Sequence, residues 1–108
     1  MLINKTPHSI HIADEDGNIV REIPPTPPAC RVASSAKPGT PIDGVPFVET
    51  VFGEIENLPA PEDGVWYIVS QIVIAASNGR PDLVRPDSGP TAMRDADGKM
   101  IACRALTK

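Results

Sequence analysis

Residues 65–79 read Val65-Trp66-Tyr67-Ile68-Val69-Ser70-Gln71-Ile72-Val73-Ile74-Ala75-Ala76-Ser77-Asn78-Gly79. The first five are all residues that favour β-strands. Ser70 is typical of a helix N-cap, and Asn78-Gly79 is typical of a helix end. Because the apolar residues between them are continuous, periodicity alone also permits a longer strand. We interpret the stretch as a strand at 65–69 followed by a short helix at 71–76.

Two Asp-Gly pairs, one before and one after this stretch, mark β-hairpins. Asp16-Gly17 and Asp97-Gly98 each separate two segments of strand-forming residues, a pattern that favours tight turns. We expect strands at 8–12, 19–23, 91–94 and 99–106. Weaker strands are expected at 30–34 and 45–52, with a turn at 37–41 between them and a bend or bulge at Gly53. The pattern predicts one α+β domain over 1–108, a small, mostly antiparallel sheet or barrel with one short helix.

Composition narrows the class of protein. The 108 residues include 13 prolines, which disfavour long helices. The net charge is −4, whereas a protein that binds bulk nucleic acid is normally basic. No basic leader or apolar run of membrane-spanning length is present, so we expect a cytoplasmic protein without a membrane partner. Cys30 and Cys103 lack metal-ligand spacing, and we expect both to be reduced core residues.

The charges are unevenly distributed along the chain. Residues 1–78 hold four basic and ten acidic side chains, whereas residues 79–108 hold six basic and four acidic ones. Guanidinium groups are preferred partners of phosphate, so Arg80, Arg85 and Arg94 are candidate phosphate ligands. Glycine turns beside them could add backbone amides. The alternative is a rigid loop in which aspartates cap turns and pair with the arginines.

Three further polar residues are candidates for contacts with a ribose or a base edge: His8, Ser70 and Asp87. Structural alternatives exist for the first two, since His8 could be hydrogen-bonded at a strand start and Ser70 could cap the helix. His8 and His11 have odd spacing, so on one strand they would face opposite sides and would not share a metal ion. We assign no catalytic residue, metal or cofactor, because the chain has no phosphate-binding loop, dinucleotide fingerprint or nucleophile elbow.

Four segments carry a family resemblance: Asn4-Lys5-Thr6-Pro7-His8-Ser9-Ile10, Val51-Phe52-Gly53-Glu54-Ile55-Glu56-Asn57-Leu58-Pro59, Tyr67-Ile68-Val69-Ser70 and Arg85-Pro86-Asp87-Ser88-Gly89-Pro90. Together they resemble a family of small proteins from phages, prophages and bacterial genomes. Lys5 stands where that family usually has leucine, and Ser88 where it usually has threonine. The resemblance implies that His8, Glu54, Ser70, Asp87 and Gly89 belong to recurring segments, but it implies no mechanism.

Three hypotheses of function follow. The first is a counter-defence protein of a phage or mobile element that binds and sequesters a small phosphorylated, nucleotide-type signal. The second is a protein–protein interaction module that inhibits a host or phage protein, for which strand-rich domains with exposed edges are suited. The third is a small nucleotide hydrolase that uses His8 and a carboxylate. A homo-oligomer is compatible with each. A concave site lined by the arginines would favour the first hypothesis, and a flat apolar patch the second.

Overall fold

A computed structural model describes residues 1–108. The chain forms ten strands and one helix, in the order β1 (Leu2–Asn4), β2 (Ile10–Ala13), β3 (Ile19–Ile23), β4 (Arg31–Pro38), β5 (Val48–Glu56), β6 (Trp66–Ile68), α1 (Gln71–Ala76), β7 (Leu83–Pro86), β8 (Ala92–Arg94), β9 (Met100–Cys103) and β10 (Leu106–Thr107). Four strand pairs are antiparallel and three are parallel. The α+β class with mostly antiparallel pairing is therefore confirmed. The sheets remain open, and no barrel closes.

The first sheet contains the strand expected at 65–69 and has the order β1-β6-β7-β10. Strand β6 lies between two parallel neighbours, so Tyr67 and Ile68 are buried together with Leu83 of β7. The helix follows as expected, because the Ser70 hydroxyl accepts the Val73 amide over 3.4 Å and ends the strand. This helix spans six residues, and no helix of the structure has the length and apolar character that crossing a bilayer requires.

The second sheet has the order β3-β2-β9-β8 and contains both Asp-Gly hairpins. The same pair of side-chain-to-backbone hydrogen bonds closes both turns. Asp14 Oδ1 accepts the amides of Asp16 and Asn18, and Asp95 Oδ1 accepts those of Asp97 and Lys99, over 2.9 to 3.0 Å. Both predicted hairpins are confirmed. Each aspartate closes its own turn, an arrangement that Asp side chains readily adopt.

A long two-stranded ribbon forms the third sheet, and here the predicted boundaries are wrong. Strand β4 continues through the expected turn at 37–41 as far as Pro38, which lies opposite Val48. The chain instead reverses at Asp43 and Gly44, which both have positive φ. The bulge at Gly53 is confirmed, because β5 advances from Ile55 to Phe52 while β4 advances only from Val32 to Ser34. We call residues Arg31–Glu56 the arm.

Three other expectations need correction. Strand β1 was not predicted, since three residues are too few to show a period. The strand expected at 99–106 divides into β9 and β10, and the strand expected at 8–12 begins only at Ile10. The radius of gyration is 16.3 Å, against about 13 Å for a compact domain of this length. The chain is therefore elongated, in keeping with an arm that is exposed along most of its length.

Candidate functional site

A single buried side chain organises the loop between β1 and β2. Asn4 is fully buried, and its Nδ2 donates to the carbonyl oxygens of His8 and Ile23 over 2.8 and 2.9 Å. Its Oδ1 accepts the backbone amide and the hydroxyl of Thr6 over 2.9 and 2.6 Å. These four bonds use the full capacity of an amide side chain. The loop carrying His8 is therefore fixed against strand β3.

That loop borders a cleft of about 230 Å³. One side of the cleft consists of residues 8–11, the other consists of residues 100–103, and Thr6 and Pro86 complete the lining. His8 and His11 both line it. Only His11 lies on strand β2, because His8 belongs to the clamped loop and precedes the strand, so alternation along one strand does not place the two histidines. Only the carbonyl oxygen of His8 forms hydrogen bonds, which leaves its imidazole free.

The cleft arises where two neighbouring strands separate. Strands β2 and β9 run parallel but share a single residue pair, Ile12 with Cys103. Burial raises the pKa of the Cys103 thiol, an effect that the backbone amides of Asp87 and Ala105 partly oppose. The thiol is therefore protonated at neutral pH. The other residues that line the cleft include no lysine, arginine, aspartate or glutamate.

Two of the three candidate arginines converge on Ser88. Arg94 donates from Nη2 to the Ser88 carbonyl over 2.9 Å, and Arg85 Nη1 lies 3.4 Å from the Ser88 hydroxyl. Neither guanidinium has a carboxylate within 4.0 Å, since the two ion pairs of the chain lie elsewhere. Arg85 Nε is buried and has no hydrogen-bond partner. Half-buried arginines usually have such partners, so Arg85 retains unused donor capacity.

Asp87 shapes the loop beside these arginines. Its carboxylate accepts the amides of Gly89 and Thr91 over 2.8 and 3.2 Å and the Thr91 hydroxyl over 2.8 Å. The Gly89 amide contributes most to lowering the pKa of Asp87, and the Thr91 hydroxyl contributes next. These contacts make Asp87 a turn-forming residue that holds Ser88 in place.

Arg80 lies in a different environment from Arg85 and Arg94. Its Nε and Nη2 donate to the two carboxylate oxygens of Asp82 over 2.7 and 2.9 Å, and Nη2 also donates to the Pro59 carbonyl. Its guanidinium carbon lies 5.7 Å from the centre of the Tyr67 ring. The bidentate bond lowers the pKa of Asp82 and raises that of Arg80. Arg80 is thus part of an internal ion pair. Ser70, another candidate ligand residue, caps the helix.

Sequence reasoning missed Lys5 as a residue of interest. Lys5 is 6% exposed, and its only side-chain hydrogen bond is to the Thr26 carbonyl over 3.2 Å. No carboxylate lies within 4.0 Å of its ammonium group. Its neighbour Cys30 is buried as expected, and burial raises the pKa of that thiol against the opposing effects of Lys5 and Arg80.

The arm has one apolar face. Side chains alternate along each strand, so the register and the bulge place eight residues on one side of the ribbon. Six of them are apolar, and Ser34 and Thr50 are the two polar ones: Val32, Ser34, Ala36, Pro38, Val48, Thr50, Phe52 and Ile55. Near the base of the arm, Val32 and Ile55 pack on the core formed by Tyr67, Val69 and Val73. Towards the tip, Val48 is 60% exposed and Phe52 38% exposed. The same face thus runs from the core into solvent.

No protein-family model, curated protein sequence or solved structure matches the chain. The resemblance to small phage and prophage proteins therefore stays a hypothesis, and the assignment of function depends on the geometry of the residues themselves.

Proposed function

We propose that this protein acts by binding another protein through the arm. The observation that carries the proposal is the apolar face, which leaves Val48 and Phe52 in solvent beyond the part that packs on the core. Exposed surface that is mostly apolar is a mark of interaction sites. The opposite face carries cross-strand pairs of opposite charge, Lys37 with Glu49 and Arg31 with Glu56, which suit contact with water, and a single exposed apolar side chain of β5, Val51.

The dimensions of the arm indicate the shape of its partner. A two-stranded ribbon is roughly 10 Å wide, and eight or nine residues span roughly 26 to 30 Å. One flat face of that size offers on the order of 300 Å², well below the roughly 800 Å² per partner of a standard interface. The outer edges of β4 and β5 also lack strand neighbours. We therefore propose a grooved partner that encloses the arm and pairs with one of these edges.

The test uses variants on opposite faces of the same strand. Val48→Asp/Phe52→Asp places charge on the apolar face, and Glu49→Gln is the control on the polar face. A partner is identified by cross-linking in a bacterial lysate and then purified for titration against each variant. We expect the double variant to weaken binding at least about 100-fold, since core interface residues cost about 2 kcal/mol or more each, and the control to bind normally.

Equal binding by the double variant would contradict a role for the apolar face. The mass of the purified protein in solution, measured by light scattering, separates two kinds of partner. A dimer that the double variant abolishes would identify a second copy of this chain as the partner. A monomer in all variants would leave a different protein as the occupant.

We propose a second candidate function, the sequestration of a small phosphorylated ligand of nucleotide type. The specific observation is Arg85, a half-buried guanidinium whose Nη1 makes two long hydrogen bonds, to the Pro86 carbonyl and the Ser88 hydroxyl, and which has no carboxylate within 4.0 Å. Arg94 donates to the carbonyl of the same residue, Ser88. Arginines without acidic partners suit phosphate oxygens. The resemblance to phage and prophage proteins supports a counter-defence context, in which a nucleotide signal of the host would be the ligand.

A thermal-shift panel of mono-, di- and cyclic nucleotides tests this second function. At 100 times its dissociation constant, a ligand adds about 2.7 kcal/mol to the free energy of unfolding, which is roughly 10 °C or more for a domain of this size. We expect Arg85→Gln and Arg94→Gln to lose the shift and Arg21→Gln, an exposed arginine, to keep it. Chromatography that recovers the ligand intact supports sequestration, whereas an altered ligand identifies an enzyme. The absence of any shift contradicts this function.

A further inference from the structure

The cleft between β2 and β9 is a second kind of site, independent of the arm and of Ser88. The outer edge of β2 bonds to β3, where Ile10 and His11 lie opposite Ile23 and Glu22. The outer edge of β9 bonds to β8 in the same way. Backbone groups alternate between the two edges of a strand, so each inner edge also carries N–H and C=O groups. Because β2 and β9 share only the pair Ile12 and Cys103, we expect the inner groups away from that pair to lack strand partners.

The lining of the cleft determines the charge of an occupant. Its lining includes the apolar residues Ile10, Pro86 and Ala102 and the polar residues His8, Ser9 and His11. No acidic, lysine or arginine side chain lines it. A charged group placed there would lose its hydration and find only the two histidines as ionic partners, so we expect the cleft to favour a neutral occupant.

The volume and the shape of the cleft determine the kind of molecule. About 230 Å³ is below the roughly 300 Å³ at which drug-sized ligand pockets begin, so the cleft holds a ring system and not a whole nucleotide or a peptide. The free donors and acceptors lie along the strand edges, in the plane of the sheet. A flat molecule with donors and acceptors on its own edge meets them best, and the His8 ring and the Met100 sulfur offer contacts to an aromatic system.

We propose that the cleft binds a neutral nitrogen heteroaromatic ring of the nucleobase type, with its edge against β2 and β9 and the His8 imidazole against its face. The loop that presents His8 is held by the side chain of Asn4, so the site is formed before the ring arrives. The proposal rests on neither function proposed above, since the ring needs neither the arm nor a phosphate at Arg85.

Amide chemical-shift mapping by NMR tests the proposal with the full chain. The probes are adenosine, cytidine, uridine and nicotinamide, and D-ribose is the control that shares the sugar but lacks the ring. We expect at least one ring compound to produce saturable shifts at residues 8–11 and 100–103, and ribose to produce none. Saturable shifts confined to residues 85–94, or no saturation up to about 10 mM, where binding is worth less than about 3 kcal/mol, would overturn the proposal.

His8→Ala supplies the second measurement. The substitution removes a side chain that makes no hydrogen bond, so amide spectra outside the cleft should remain unchanged and thereby report correct folding. Loss of one stacking partner should weaken the binding of the ring compound at least about five-fold. An unchanged affinity would overturn the placement of the ring against His8. Inorganic pyrophosphate, titrated separately against Arg85→Gln, tests the phosphate site, so the failure of one proposal is distinguishable from the failure of the other.

Discussion

The side-chain amide of Asn4 donates a hydrogen bond to the carbonyl oxygen of His8 over 2.8 Å. The same amide reaches the Ile23 carbonyl of β3, so one residue ties the β1–β2 loop to the edge of the second sheet. Buried amides whose donors and acceptors are all used stabilise a unique arrangement. The position of the His8 backbone beside the cleft is therefore a consequence of the residue four places before it.

Removing this amide should destabilise the protein and disturb the cleft. In Asn4→Ala, the carbonyl groups of His8 and Ile23 lose a donor and Thr6 loses its acceptor. We expect the free energy of unfolding to fall by roughly 2 to 4 kcal/mol, because each buried group left without a partner costs about 1 to 3 kcal/mol. Urea unfolding measures the change. Asn18→Ala, at an exposed turn position, is the control and should stay within about 0.5 kcal/mol; a similar effect for both variants would contradict the role of Asn4.

Lys5 should be replaceable with a gain in stability. Its ammonium group is buried with one backbone hydrogen bond and no carboxylate. An apolar side chain of similar size avoids the cost of removing a charge from water. We expect Lys5→Leu to raise the free energy of unfolding by about 1 kcal/mol or more in urea titrations. Lys99→Leu, at an exposed site, should change it little. A loss of stability in Lys5→Leu would contradict a net cost of burying this charge and would show that the bond to the Thr26 carbonyl outweighs it.

The sequence predicted more of the fold than of the candidate site. Turns whose chemistry is local were predicted correctly, because Asp-Gly at 16–17 and 97–98 and Ser70 before the helix act within a few residues. The arm was predicted too short, since Lys37 and Pro38 normally signal a turn and their pairing with β5 depends on residues twelve and ten positions away.

The candidate site was less predictable for the same reason. Arginine is a phosphate ligand or an ion-pair partner depending on its neighbours. Arg80 forms an ion pair with Asp82, whereas Arg85 donates only to the Pro86 carbonyl and the Ser88 hydroxyl. The cleft beside His8 depends on where two distant strands separate, which no local pattern records. Asn4 lies in residues 4–10, one of the segments that carry the family resemblance. Its burial could not be predicted, because a buried amide among polar loop residues has no distinguishing signal in the sequence.

The ion pair of Arg80 and Asp82 should give stability a specific dependence on pH. The folded protein holds the pKa of Asp82 below its usual range, through the bond from Arg80. The stabilising contribution is therefore complete above the unfolded pKa, near 3.9, and is lost as the pH falls through the folded value. Asp82→Asn should lower stability by about 1 to 3 kcal/mol at pH 7 and by less at acid pH.

Denaturant titrations at neutral and acid pH measure this difference. Asp87 also has a lowered pKa. The Asp82→Asn variant should therefore keep part of the acid sensitivity of the wild type. The double variant Arg80→Gln/Asp82→Asn is the control, because it removes both charges and should be less destabilised than Arg80→Gln alone. An Asp82→Asn variant with an unchanged pH profile would contradict the coupling.

The arm should be the least stable part of the isolated protein. Two-stranded ribbons are marginal in water unless something packs on them, and beyond Val32 and Ile55 the apolar face lacks cover. Hydrogen exchange read by NMR should therefore show residues 34–52 exchanging at least about 100-fold faster than Tyr67 to Val69, through local opening of the arm. A bound partner that covers the face should slow amide exchange selectively in the arm and leave the exchange rates of β6 unchanged. Equal protection of the arm and β6 in the free protein would mean that the apolar face is already covered, which a concentration series would identify as self-association.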